Sequence, residues 1–112
     1  QDMNYRRIFW TINLVYSTNA SQLADICADI ENYINNSENF TKNPGQENFV
    51  KVTELGASSI DLTILCYMNV ITYTEFSQVK QELIFKIMSA VETHKSDFAF
   101  PSRSIYIENQ DP

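Results

Sequence analysis

Glycine, histidine and cysteine are scarce in this sequence, at two, one and two of its 112 residues. Gly45 and Gly56 by themselves cannot furnish a G-x-G-x-x-G turn or a P-loop, whose several glycines let backbone N–H groups approach phosphates. A single histidine, His94, excludes an H-E-x-x-H zinc site and a histidine-rich metal cluster. Neither Cys27 nor Cys66 belongs to a C-x-x-C, so both are read as inert core thiols, free cysteine being among the most buried residue types. No metal and no cofactor is expected. Bases are also few, eight against fourteen acids for a net charge of -6, and they are scattered apart from Arg6-Arg7. Nucleic acid binding, which draws on a clustered positive field to release counterions, is not expected. No apolar run approaches the roughly 18–20 residues that span a bilayer, and the N-terminus has no charged-then-apolar targeting pattern. The chain begins at Gln1 rather than methionine and is read as an excised piece of something longer.

What is present suits one compact domain. The chain is 44% hydrophobic and 20% charged, and a chain this long buries roughly two-thirds of its unfolded surface. Three N-x-[ST] sequons, at Asn19, Asn35 and Asn39, are treated as chance products of an asparagine-rich sequence.

Arg7 to Tyr16 alternates with a period of two and predicts a long strand. Thr18 or Asn19 then offers an N-cap, with Gln22 as a capping-box partner, before Leu23, Ile26, Cys27, Ile30 and Ile34 take helical spacing up to Asn35-Asn36. Ser37 to Glu47 holds Asn-Pro-Gly and little apolar material, and predicts a surface loop. Phe49–Leu55 predicts a second strand. Gly56, free to take a positive φ, turns the chain into a third strand in which Ile60, Leu62, Ile64, Cys66, Met68 and Val70 face the core. Thr72 or Thr74 caps a second helix whose core stripe runs Phe76, Val79, Leu83, Ile87 and Val91, with Ile84 and Met88 beside it. Pro101 keeps Phe100 extended, and Ser104 to Glu108 predicts a short last strand. Residues 1–6 are expected as a linker and 109–112 as a frayed tail.

The order β-α-β-β-α-β, with right-handed crossovers, predicts an α+β ferredoxin-like sandwich: a four-stranded antiparallel sheet with both helices on one face. Its other face stays open and mixes Phe9, Val15, Leu65, Tyr67 and Ile71 with threonines, asparagine and aspartate, an apolar content that implies a neighbour.

Catalytic constellations fail residue by residue. Asp25 and Asp29, spaced i,i+4, read as solvated acids on the first helix. His94 reads as a helix-end residue, where a cation and unpaired carbonyls are favoured. Hydroxyl side chains abound, but a nucleophile needs an activating base, and one helix-end histidine is poor material for a triad. The chain is not expected to be an enzyme. RNA-recognition domains share this element order, but their third strand is glycine-punctuated and aromatic. Here it reads Ser59-Ile60-Asp61-Leu62-Thr63-Ile64-Leu65-Cys66-Tyr67.

Three segments resemble the C-terminal α/β domain of the small-conductance mechanosensitive channel (MscS) family. They are Arg6-Arg7-Ile8 with the strand ending Val15-Tyr16-Ser17-Thr18; Gly56-Ala57-Ser58-Ser59-Ile60-Asp61-Leu62; and Phe76-x-x-Val79-Lys80-x-Glu82-Leu83 leading to Phe98-Ala99-Phe100-Pro101-Ser102-Arg103-Ser104-Ile105-Tyr106. The sequence departs from the family pattern at Thr93-His94-Lys95, where glycine is common, and at Ala99, where proline is. The resemblance implies a homo-heptameric inner-membrane channel gated by tension, with this domain forming the wall of a cytoplasmic vestibule. The role implied is assembly and solute filtering during osmotic-shock release, and membrane attachment would come only through absent upstream helices. Candidate contacts between identical protomers are Phe9, Leu65, Tyr67, Phe98, Phe100, Pro101 and Arg103. The isolated domain is expected as a monomer or weak oligomer, because small interfaces do not offset the freedom lost on association. The alternative kept from another class is a ligand-binding, ACT-like regulatory module of the same fold; an acylphosphatase-like enzyme would want an arginine-bearing anion loop after the first strand, which is missing.

Overall fold

The computed structural model describes residues 5–69 and 72–100. Along these the order is β1 (Tyr5–Leu14), α1 (Ala20–Asn35), β2 (Phe49–Leu55), β3 (Ile60–Asn69) and α2 (Tyr73–Thr93). β3 lies in the middle of an antiparallel sheet of order β1-β3-β2. The expected last strand, Ser104 to Glu108, lies outside the described residues, as do Val70, Ile71, Pro101 and Arg103.

Register explains why one face of the sheet is core. Ile8 pairs with Cys66, Trp10 with Ile64, Ile12 with Leu62 and Leu14 with Ile60, while Val50 and Val52 stand opposite Ile64 and Leu62 from the other side. With a side-chain period of two, these even-numbered residues share the face covered by both helices. Ile26, Ile30 and Ile34 of α1 and Val79, Leu83, Ile87 and Val91 of α2 close over them in one buried cluster. Both helices begin as the sequence dictates. Asn19 caps α1 in a capping box with Gln22, and Thr72 does the same for α2 with Glu75, each box satisfying two of the N–H groups a helix leaves unpaired at its start.

Several expectations need correcting. β1 starts at Tyr5 and stops at Leu14, two residues ahead of the expected span at each end, so Tyr5 and Arg6 belong to the sheet. Val15 leaves the ladder because its N–H donates to the carbonyl of Asp97, 3.1 Å away. The segment from Ser37 to Glu47 is not simply a surface loop. Phe40 is 2% exposed and is the bulkiest fully buried side chain, meeting the Tyr33 ring edge-on at 6.5 Å between centroids. It is pinned there by two backbone hydrogen bonds to β3, Thr41 N–H to Tyr67 O (2.9 Å) and Asn69 N–H to Asn39 O (2.7 Å). A lone aromatic among polar neighbours carries no periodicity, which is why its burial escaped the pattern.

Gly56 does not take a positive φ; Gly45 is the glycine that does. Glycine at 56 answers to space instead, since a Cβ there would lie 3.1 Å from the Ser59 carbonyl oxygen, which accepts the Gly56 N–H at 2.8 Å to close the turn. Ile84 and Met88, expected beside the core stripe, are 38% and 51% exposed. The helix turns them toward the β1 edge rather than under the sheet.

Candidate functional site

The face of the sheet away from the helices carries the odd-numbered side chains of β1 and β3. The pairing places Phe9 opposite Leu65 and Leu65 opposite Phe49, a single apolar row crossing all three strands. Directly opposed side chains in antiparallel strands stand about 4.5–5.5 Å apart at Cβ, so the row is continuous. Phe9 is 57% exposed and Phe49 38%. The next pair is Arg7 with Tyr67, and the Arg7 guanidinium lies over the Phe9 ring at 4.9 Å. An arginine stacked on an aromatic face keeps its charge while covering apolar surface.

Toward the other end of this face the chemistry becomes polar. Asn13 Nδ2 donates to Asp61 Oδ1 (2.7 Å) and to Ser59 Oγ (3.2 Å), and Ser59 Oγ donates to the same carboxylate oxygen at 2.8 Å. Thr53 and Thr63 join their hydroxyls at 2.8 Å, next to the irregularity between Val52 and Glu54 where β2 carries an extra residue. Tyr16 Oη donates to the Gly56 carbonyl. These bonds fix the β2–β3 turn and satisfy the polar atoms among themselves.

Of the candidate contact residues, Phe9, Leu65 and Tyr67 come together on this face. Phe98 lies elsewhere, in an antiparallel bridge with Leu14 at the outer edge of β1, where Ala99 N–H donates to Asn13 O at 2.9 Å. Its ring packs half-buried against the core, whereas Phe100 is 73% exposed. Pro101 and Arg103 are outside the described residues. Sequence reasoning missed Phe49: the register of the Gly56 turn alone would set it against Cys66, and the irregularity between Val52 and Glu54 shifts it to Leu65.

The acids of α1 are also placed differently from the expectation. Asp29 is not merely solvated: its Oδ2 lies 2.7 Å from His94 Nε2, and Asp25 Oδ2 lies 3.9 Å from His94 Nδ1. The Gln22 side chain donates to the His94 carbonyl at 2.7 Å, and the Thr18 and Ser96 hydroxyls meet at 2.7 Å. His94 is the C-cap of α2, as a helix-end histidine should be. The i,i+4 spacing of the two aspartates held this signal, but the partner is remote in sequence.

Among the described residues no group of three or more His, Cys, Asp or Glu side chains is placed to hold a metal ion. Cys27 and Cys66 are both unbridged. Burial pushes the Cys66 thiol up to about 12, and burial likewise raises Cys27, with Glu31 adding to the rise and Lys51 opposing it. Both are poor nucleophiles, since the thiolate is the reactive form. No helix among the described residues is long and apolar enough to cross a membrane.

Comparison with known proteins fits this picture. Residues 8–98 match the family model described as the mechanosensitive ion channel MscS, C-terminal. An uncharacterized MscS family protein of Aquifex aeolicus is 36% identical over 105 residues, which cover 94% of this chain and 28% of that protein. The low conductance mechanosensitive channel YnaI of Escherichia coli K12 is 28% identical over 110 residues, covering 98% of this chain and 31% of the channel. Among solved structures, Arabidopsis thaliana MSL1 matches 87% of this chain and 34% of its own with a TM-score of 0.76 at 15% identity. Helicobacter pylori MscS in the closed state matches 86% and 35% with a TM-score of 0.63 at 23% identity. At those identities the two structures speak for the fold alone, and the chain spans 28–35% of the length of these four proteins. A family model covering most of the chain, over the same two-helix, antiparallel-sheet architecture, makes it a member of the MscS mechanosensitive channel family, corresponding to that family's C-terminal domain.

Proposed function

We propose that this chain is the cytoplasmic C-terminal vestibule domain of a mechanosensitive channel, joined to identical copies, with a heptamer expected, and working as a non-catalytic wall that supports assembly and filters solutes. The observation that carries this reading is the family match over residues 8–98. The open sheet face supports it. Phe9, Leu65 and Phe49 form an exposed apolar row with Tyr67 and Arg7 beside it, the kind of patch that a soluble monomer seldom leaves uncovered.

The fourth strand of a ferredoxin-like sandwich belongs to the same reading. The Leu14–Phe98 bridge runs antiparallel on the edge of β1 that β3 does not use. A strand continuing from Phe98 would therefore give the order 4-1-3-2. The net charge of -6 favours cations over anions in a vestibule built from such walls.

The test is patch recording of the full-length protein in bilayers under graded suction. Tension-gated currents are expected, and a protein that inserts yet stays silent at lytic tension refutes the channel reading. The wall is tested separately by neutralising Glu47 and Glu54 in that channel. A reversal potential shifted toward anions is expected, and an unchanged one removes the filtering role.

A further inference from the structure

The edge of the domain where α2 lies beside β1 is amphiphilic. Midway along it, Trp10, Ile12 and Phe98 on the sheet side and Ile84, Ile87 and Met88 on the helix side frame a hollow of about 240 Å³ lined by apolar side chains alone. Ile84 and Met88 are exposed, so its mouth opens to solvent. That volume falls short of the roughly 300–1,000 Å³ of clefts that hold drug-sized molecules, which favours a slender occupant.

Positive charge gathers at one end of this edge. Arg6 stands on the same face of β1 as Trp10 and Ile12, four residues or about 13 Å before Trp10 along the strand. Lys80 lies one helical turn before Ile84. Both converge on the Phe76 ring, Arg6 Cζ at 5.1 Å and Lys80 Nζ at 5.6 Å from its centroid. Neither has a carboxylate within ion-pair distance among the described residues. Glu75 and Glu82, the acids of the same half of α2, line a different hollow with Asn39, Asn69 and Gln78. Two like charges held on one ring repel each other, and an anion placed beside them relieves that repulsion.

We propose that this edge binds the free monomer of a single-chain anionic amphiphile, a fatty-acid-like carboxylate, with its head at Arg6 and Lys80 and its apolar tail in the hollow between Trp10 and Met88. The two unpaired cations select the head, and the apolar lining selects the tail. A leaflet of membrane lipid fits less well, because a hollow between one helix and one strand takes a single chain and not a plane of them. The site goes beyond the channel reading and does not depend on it.

Trp10 is the single tryptophan of the chain, so its fluorescence reports on the hollow. Titrating the 112-residue chain with ω-bromodecanoate, whose bromine quenches indole on contact, is expected to give saturable quenching below the micelle concentration. Lys80→Gln should weaken binding about threefold to fivefold and the Arg6→Gln, Lys80→Gln pair about tenfold, while Met88→Glu at the mouth should abolish it. Arg6, Lys80 and Met88 are all exposed, so none of these changes reaches the core. The trimethylammonium analogue of the same bromoalkyl chain should bind at least about tenfold more weakly. Equal quenching by the two analogues, unchanged affinity in the double variant, or binding retained by Met88→Glu overturns the proposal. So does quenching by vesicles of brominated phosphatidylglycerol with none by the monomer, which would make the edge a membrane contact. A Trp10 that neither the monomer nor acrylamide reaches overturns it too, since the hollow would then be covered by other parts of the protein.

Discussion

The two faces of one sheet make opposite use of the same strands. On the helix side, Ile8, Leu14, Leu62, Ile64, Cys66 and Met68 are almost wholly buried. On the open side, one residue along, Phe9 is more exposed than not, and Asn13, Ser59 and Asp61 satisfy one another in a small network. The helix-side residues are held by the volume they fill, whereas the open-side row is held in place by the register of its strands and contributes little to folding. Stability and interaction are thus divided between alternate residues, and a substitution's phenotype should depend on the parity of its position.

The largest effect expected is that of Phe40→Ala. It removes a fully buried ring from the end of the helix-side core and should cost about 3–5 kcal/mol, read as a lower midpoint in urea unfolding with little change in slope. A cost under about 1 kcal/mol would mean that the loop can leave the core without penalty. Leu62→Ala, at the sheet centre, should cost about 2–5 kcal/mol by the same measurement.

A pH series on the unfolding midpoint sharpens the contrast. The Cys66 thiol is held up to about 12 in the folded protein against an ordinary 9.0. The folded state then keeps its proton where the unfolded state has lost it, so the contribution is fully present below pH 9 and falls away as pH rises toward 12. Cys66→Val should flatten that decline above pH 9. If it leaves the alkaline limb unchanged, other groups govern it.

Smaller still is the cap of α1. Asn19→Ala should cost about 1 kcal/mol through loss of the Asn19–Gln22 box, measured by thermal unfolding. Last comes Phe9→Ser on the open face, expected to shift stability by no more than about 0.5 kcal/mol while weakening self-association of the full-length protein. A loss of several kcal/mol would break the division between the faces.

Most of the fold was legible because period-two and helical spacing are strong signals in Ile8–Leu14, Ile60–Met68 and Val79–Val91. The capping boxes at Asn19 and Thr72 were legible for a local reason, both partners lying three residues apart. What stayed hidden depends on distant partners. Phe40 finds Tyr33 and Met68 only in three dimensions, His94 finds Asp29 across 65 residues, and the constraint on Gly56 comes from the Ser59 carbonyl rather than from its own dihedral angles. The open-face row was read in part: Phe9, Leu65 and Tyr67 follow from alternation, but Phe49 joins them through a register that alternation does not specify.

One consequence of the Leu14–Phe98 bridge concerns the border of the sheet. It seats the chain leaving α2 against backbone groups at the end of β1 that β3 does not reach, with Val15 N–H donating to Asp97 O and Ala99 N–H to Asn13 O. At that end β1 therefore offers no bare ladder on which a foreign strand could template itself.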